Sequence, residues 1–336
     1  MDQAINHAIK ALDQKQFFKL VCGASLTDVQ MVENLCFLFA LAGAHVFDLA
    51  PTADVIFAAR RGIETAKSQQ LRANSPLIMA SIQLDKDPHF RKVEVDFSTC
   101  DLCGACVKVC PTEAFNIENK KFVYLIERCY GCGICPEYCH VDALKMKDIN
   151  LAPEETLKEM ILLGVKAIEI HFGSNAEKLF KLGKNLREYL LGIELLSFSI
   201  SSSFSAEEIR EIAHFCCKIA GKKIILQCDG IPMSGAQALN GNNKDEAALQ
   251  VAKILQEENL PAYLQIAGGT NERSYEKAIS AALNIHGVAI GSYARKLLMP
   301  YINNLTAPSS LKEALFIAKK LVSSVNLKQL ACEVSN

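Results

Sequence analysis

Short apolar runs recur along the chain, separated by longer stretches in which apolar positions return every three or four residues. The runs are "FKLVCGA" (18–24), "HVFDLA" (45–50), "PLIMASI" (76–82), "KAIEIHF" (166–172), "ELLSFSI" (194–200), "KIILQCD" (223–229), "AYLQIAG" (262–268) and "GVAIGSY" (287–293). Most are continuously apolar rather than alternating, which marks strands covered on both faces, as in a parallel sheet. Helix signals fall between them. Thr27 with Gln30, Ser205 with Glu208 and Ser310 with Glu313 have the spacing of a capping box, and Asn243 with Glu246 repeats it with an Asn cap. In "AEEIREIAHFCCKIAG", Ile209, Ile212, Ala213 and Cys216 recur at core spacing, and the helix is expected to end at Gly221.

Eight strands, nearly all followed by helices, predict an α/β fold closed as a (β/α)8 TIM-like barrel, which takes about 250 residues. An open doubly wound sheet and two separate domains are the alternatives. The alternation fails between the third and fourth strands. The expected organisation is therefore residues 1–83 as the first part of the barrel (strands 1–3), 84–150 as an inserted α+β ferredoxin-like domain, and 151–336 as strands 4–8 with a C-terminal helix.

Composition narrows the function classes. Half of the 336 residues are hydrophobic, enough for a large core, and the net charge of -1 gives no reason to expect nucleic acid or an anionic membrane as partner. The start, "MDQAINHAIKALDQKQ", is polar and helix-prone, without the basic start and apolar centre of a signal peptide. No apolar run is long enough for a transmembrane segment, so a cytoplasmic location is expected. Fourteen cysteines in a large chain of this kind point to metal rather than disulfides.

Eight of these cysteines lie in "CDLCGACVKVC" (100–110), followed by Pro111, and "CYGCGICPEYC" (129–139), followed by His140. The first is the C-x2-C-x2-C-x3-C-P run of bacterial ferredoxins, whose fourth cysteine ligates the other cluster. One [4Fe–4S] cluster is thus expected on Cys100, Cys103, Cys106 and Cys139, and a second on Cys129, Cys132, Cys135 and Cys110. "KVEVDFST" and "DALKMKD" fit a two-stranded ribbon around them, and "AFNIENKKFVYLI" a hairpin between them. A pair of zinc sites would use paired C-x2-C units at wider separation, without the third cysteine and the x3 step. The second copy departs from the pattern at Pro136 and His140. His140 is either a titrating neighbour that moves a cluster's potential or a plain surface histidine.

The mouth of a (β/α)8 barrel lies at the C-terminal ends of its strands. There, Gly268 and Gly269 in "IAGGTNERS" and Gly291 and Ser292 in "IGSYAR" resemble the phosphate grip of flavin- and sugar-phosphate-binding barrels, and FMN or another phosphate-bearing ligand is the group such loops would take. Asp48, His171 and Asp229 are further polar candidates, with "GIPMSG" (230–235) as a mouth loop. No catalytic lysine or nucleophile pattern stands out. Cys22 and Cys228, near strand ends, and Cys36 and Cys216, on helix faces, read as buried small hydrophobes.

The segment "LFALAGAHVFDLAPTADVIFAARRGI" (38–63), the tandem cysteine motifs and the long C-terminal region resemble, over nearly the full length, the light-dependent period family of cyanobacterial proteins. That resemblance implies an iron–sulfur protein that reports cellular redox state to the circadian clock and associates with other clock-input proteins. Redox donors or acceptors such as quinone or ferredoxin are the expected small partners. The competing reading is a flavin-dependent oxidoreductase whose barrel binds FMN and draws electrons from the insert. A plain electron carrier would leave the barrel without purpose. The missing catalytic signature favours a regulator over an enzyme.

Overall fold

The computed structural model of the chain describes residues 3–69, 75–230 and 244–326. Its strands in chain order are β1 (Phe17–Gly23), β2 (Val46–Leu49), β3 (Leu77–Gln83), β4 (Arg91–Val95), β5 (Phe115–Glu118), β6 (Lys121–Tyr124), β7 (Leu144–Asp148), β8 (Ala167–His171), β9 (Leu195–Ser201), β10 (Ile224–Asp229), β11 (Ala262–Ala267) and β12 (Gly287–Ile290). The eight apolar runs form one closed parallel barrel in the order β1-β12-β11-β10-β9-β8-β3-β2. The expected (β/α)8 barrel is the observed one, and the ferredoxin-like segment leaves it after β3 and returns at β8.

Local signals and tertiary contacts divide the credit for the helices. Helix α8 (Ala206–Ala220) has the capping box expected at Ser205 and Glu208, and Gly221 closes it with a left-handed φ of 62°. Helix α2 (Val29–Ala42) is not capped by Thr27. Asp28 caps it, accepting from Met31 N at 2.9 Å, because Thr27 Oγ1 instead accepts from Lys92 of the insert at 3.0 Å. Helix α12 (Pro308–Ser323) starts ahead of Ser310, at Pro308, whose fixed φ suits the first turn. Asn243 lies outside the described residues. The last strand stops three residues earlier than the apolar run suggests. Only Gly287–Ile290 pair with Phe17–Leu20, and Ser292 already opens α11 (Ser292–Ile302).

Helix α1 (Gln3–Asp13) does more than lead into β1. Its Ile5, Ala8 and Leu12 pack on Phe17, Leu77 and Ile225 and plug the N-terminal floor of the barrel. The other end carries the insert. There β4 pairs antiparallel with β7, as the flanking segments suggested, and β5 with β6 forms the hairpin, turning at Asn119 and Lys120 with φ of 49° and 62°. No helix among the described residues is long and apolar enough to cross a membrane.

Candidate functional site

The two cysteine motifs fold as near-copies. Each runs through a loop to a glycine with left-handed φ, Gly104 (75°) or Gly133 (78°), and then a single helical turn, α4 (Ala105–Val109) or α5 (Ile134–Glu137). Cys110 and Cys139 lie just past these turns. Cys110 Sγ accepts from Ala114 N at 3.2 Å, and Cys139 Sγ accepts from Ala143 N at 3.3 Å. The same bond forms whether Pro111 or His140 follows, so the departure in the second motif leaves the sulfur's orientation intact. Pro136 sits inside α5, where its carbonyl accepts from Cys139 N at 3.1 Å. His140 is exposed and pairs through Nε2 with Asp101 Oδ2 at 2.9 Å, a link from the second motif back to the first.

The sulfurs sort across the motifs. Cys110 lines one space together with Cys129, Cys132 and Cys135, and Cys139 lines another with Cys100, Cys103 and Cys106. Between them Phe115, Val93 and Leu144 form one apolar cluster with Cys106 and Cys135. None of the thirteen described cysteines forms a disulfide. Burial pushes Cys106 and Cys132 up to about 11, and the crowding of neighbouring sulfurs adds to it; Cys135 is raised further for the same reasons. Raised in this way the thiols are neutral, and four of them become thiolates side by side only around a bound cation. Soft donors at ferredoxin spacing, with amide N–H groups aimed at sulfur, fit an iron–sulfur group.

The second set is the inner one. Tyr130, between Cys129 and Cys132, is 4% exposed and belongs to the barrel's own core. Its ring lies 4.2 Å from the Arg295 guanidinium, and Arg295 Nη1 donates to Val21 O at 2.6 Å and Cys22 O at 2.7 Å. Arg128 Nε bonds Asp28 Oδ2 at 2.9 Å, and Thr27 N and Asp28 N both donate to Glu127 O. The insert is thus fastened to β1, α2 and α11. By contrast Cys103 is exposed, beside the half-exposed Leu102.

Inside the barrel lies a buried polar network that the apolar runs conceal. Lys19 on β1 is fully buried and bonds Glu169 on β8, with Asp48 on β2 at 3.7 Å. Ser81 donates to Asp48 at 2.7 Å, Gln227 to Glu169 at 2.6 Å, and Gln265 to Gln227 at 2.8 Å. Above this layer, His171 Nε2 is 3.3 Å from Glu169, His89 Nδ1 is 2.7 Å from Asp87, and Ser199 donates to Asp229 at 3.0 Å. Burial and the nearby Glu169 carboxylate raise Asp48 to about 6, with Lys19 offsetting part of the rise. Burial opposes the charged form of Glu169, yet Lys19 and His171 hold it well below the usual carboxylate range.

Asp48, His171 and Asp229 therefore meet in one network, as mouth residues should. Lys19, Glu169, Asp87 and His89 were not read from the sequence. The available signal was a charged residue in the middle of "FFKLVCG" and "AIEIH", where a strand buried on both faces should carry none. Cys22, Cys36, Cys216 and Cys228 are buried core residues, as read. Gly268 and Gly269 both have φ of 75°, and their missing side chains leave room for the Asp229 carboxylate and the Lys244 backbone. Gly291 and Ser292 stand at the start of α11. Of "GIPMSG" only Gly230 is among the described residues.

The match to known proteins follows the same division. Residues 92–140 match the family described as 4Fe-4S dicluster domain, and residues 160–329 the family described as Light dependent period A C-terminal domain. A ferredoxin of Methanothermococcus thermolithotrophicus is 36% identical over 59 residues, 17% of this chain and 98% of its own length. Among solved structures, a truncated 3-deoxy-D-arabino-heptulosonate 7-phosphate synthase from Thermotoga maritima aligns with a TM-score of 0.48 at 12% identity, covering 95% of this chain and 87% of that one. Light dependent period A of Synechococcus elongatus is 30% identical over 318 residues, 91% of this chain and 88% of its own. The chain belongs to the light-dependent period A family.

Proposed function

We propose that the chain is a redox-sensing regulator that carries two [4Fe–4S] clusters and conveys cellular redox or light state to the circadian clock. The observation that carries this reading is the sorting of eight cysteines into two spaces, each taking its fourth sulfur from the other motif. Cys100, Cys103, Cys106 and Cys139 would hold one cluster, and Cys129, Cys132, Cys135 and Cys110 the other. When bound, the clusters supply one-electron redox chemistry at a potential set by charge, hydrogen bonds to sulfur and exposure. The amides of Ala114 and Ala143 tune that charge at Cys110 and Cys139. The exposed side of the first set, with Leu102 and Cys103, is the face open to a quinone or a ferredoxin. Tyr130 and Arg295 join the second set to the end of β1, so the integrity of that set bears on how the insert sits on the barrel. The clock assignment comes from family membership.

Anaerobic purification with iron, sulfide, zinc and flavin measured together tests the reading. About eight irons and eight sulfides per chain are expected, four of each per cluster. Stoichiometric zinc without labile sulfide overturns it, and stoichiometric flavin would move the barrel to oxidoreductase chemistry. In the organism, deletion should alter how the clock period follows light intensity. An unchanged response removes the clock part of the proposal.

A further inference from the structure

The barrel mouth holds more buried acid than its bases answer. Asp48, Asp87, Glu169 and Asp229 are all buried there. Among them stand one ammonium, Lys19, and two imidazoles, His89 and His171. Lys19 is already engaged by Glu169 and Asp48. The upper acids are left with the histidines.

Asp87 and His89 come from the "DPH" step just after β3, where the chain leaves the barrel for the insert, and His171 ends β8. One donor atom from each of the three lies within 4.8 Å of the other two. His171 is 4% exposed. Its Nε2 lies 3.3 Å from Glu169, while its Nδ1 has no hydrogen-bond partner and faces Asp87 Oδ2 at 3.8 Å. With the proton on Nε2, toward Glu169, the neutral His171 ring carries an unshared lone pair on the partnerless Nδ1. A carboxylate behind the opposite nitrogen is the usual orienting partner of a metal-bound histidine. Asp229 stands 3.8 Å from His89 Nε2 in the corresponding position. Asp87 is itself held in place: its Oδ1 accepts from His89 N at 2.9 Å and lies 2.7 Å from His89 Nδ1, its Oδ2 accepts from Gly173 N at 3.0 Å, and a carboxylate keeps a lone pair beyond these three contacts.

Two histidines and one carboxylate around a charge-deficient space suit a divalent first-row cation. We propose that Asp87, His89 and His171 bind one such ion at the barrel mouth, apart from the cysteine sites, with Glu169 and Asp229 orienting the two rings. The donors are nitrogen and oxygen only, so the site and the clusters differ in ligand chemistry. A tetrahedral ion with bonds of about 2.0–2.1 Å needs donors about 3.3 Å apart, so His89 Nδ1 and Asp87 Oδ1, 2.7 Å apart, would part slightly while the wider pairs, within 4.8 Å, draw together by about 1.5 Å at most. The ion would sit where the chain passes from barrel to insert, and would pin that exit to β8.

Zinc added to the anaerobically purified full chain serves as the probe, with iron and sulfide measured on the same sample. The expected result is one zinc per chain whose X-ray absorption at the zinc edge reports a nitrogen and oxygen shell with imidazole scattering and no sulfur. Asp87→Asn and His89→Gln should each weaken zinc binding at least tenfold while leaving iron, sulfide and the circular dichroism spectrum unchanged. A zinc shell that contains sulfur, no zinc retained above the buffer control, or variants that bind zinc like the parent would each overturn the site. The shell is read on the unmutated chain, so a variant that fails to fold does not leave the question open. The cluster reading stands or falls on the iron and sulfide numbers instead.

Discussion

His45, near the floor of the barrel, has its protonation state decided by what surrounds one ring. Phe18 N donates to its Nδ1 at 3.1 Å, a bond that needs the ring's lone pair, and the rings of His7 and Phe17 lie 4.7 and 5.9 Å away. Burial, and then the neighbouring His7, lower its pKa to about 3. The folded value lies below the unfolded one, so the native state binds fewer protons as the medium acidifies. The associated stability is complete above about pH 6.5 and is lost as pH falls from there toward 3. Thermal unfolding between pH 7 and 4 should therefore show a falling stability that His45→Asn flattens, by at most about 1.4 kcal/mol per pH unit. Asn keeps an acceptor for Phe18 N but does not titrate. An unchanged slope would mean that other groups carry the acid response. His140 was legible as the odd residue of its motif, but its pairing with Asp101 was not, because Asp101 belongs to the other copy.

Among the elements, α4 and α5 are each a single turn, too short to stand alone. What fixes them is the left-handed glycine before and the sulfur-accepted amide after. Spacing alone announced both turns, since three cysteines on a loop and a fourth after an x3 step can satisfy one geometry. The crossing of ligands gives a direct test at this scale. Cys110→Ser should abolish the same paramagnetic signature, in the dithionite-reduced protein, as Cys129→Ser, and Cys139→Ser the same as Cys100→Ser. If Cys110→Ser instead matches Cys100→Ser, each motif serves its own cluster. The helix starts divide differently. The Ser205 box was legible because both partners lie within one turn. The Thr27 cap was misread because Lys92, 65 residues away, claims that hydroxyl.

For the whole molecule the question is how insert and barrel act together. Among the described residues, Tyr130 is the one aromatic side chain that lies between two of the eight motif cysteines and also sits in the barrel core, stacked on Arg295. Replacing a buried aromatic by alanine costs about 3–5 kcal/mol. Tyr130→Ala should lower the unfolding temperature of the anaerobic protein and expose the insert's boundaries to limited proteolysis. Unchanged melting and cleavage would mean that the insert rides on the barrel without energetic coupling, and that a signal from the second cysteine set has no route through Arg295 to β1.

What the sequence by itself determined is whatever short-range chemistry specifies: eight strands as apolar runs, two tandem ferredoxin motifs, a hairpin, a ribbon and a glycine-closed helix. Their partners lie within a turn or a strand length, so the pattern survives in one dimension. Closure of the barrel decided the rest. Lys19 meets Glu169 across 150 positions, and Asp87, His89 and His171 converge from either side of the insert. In a strand buried on both faces the two-residue alternation is hidden, because the outward side chains are as apolar as the inward ones. Only the closed sheet says which face is the interior, and only there does a lone lysine in one run find the carboxylates of two others.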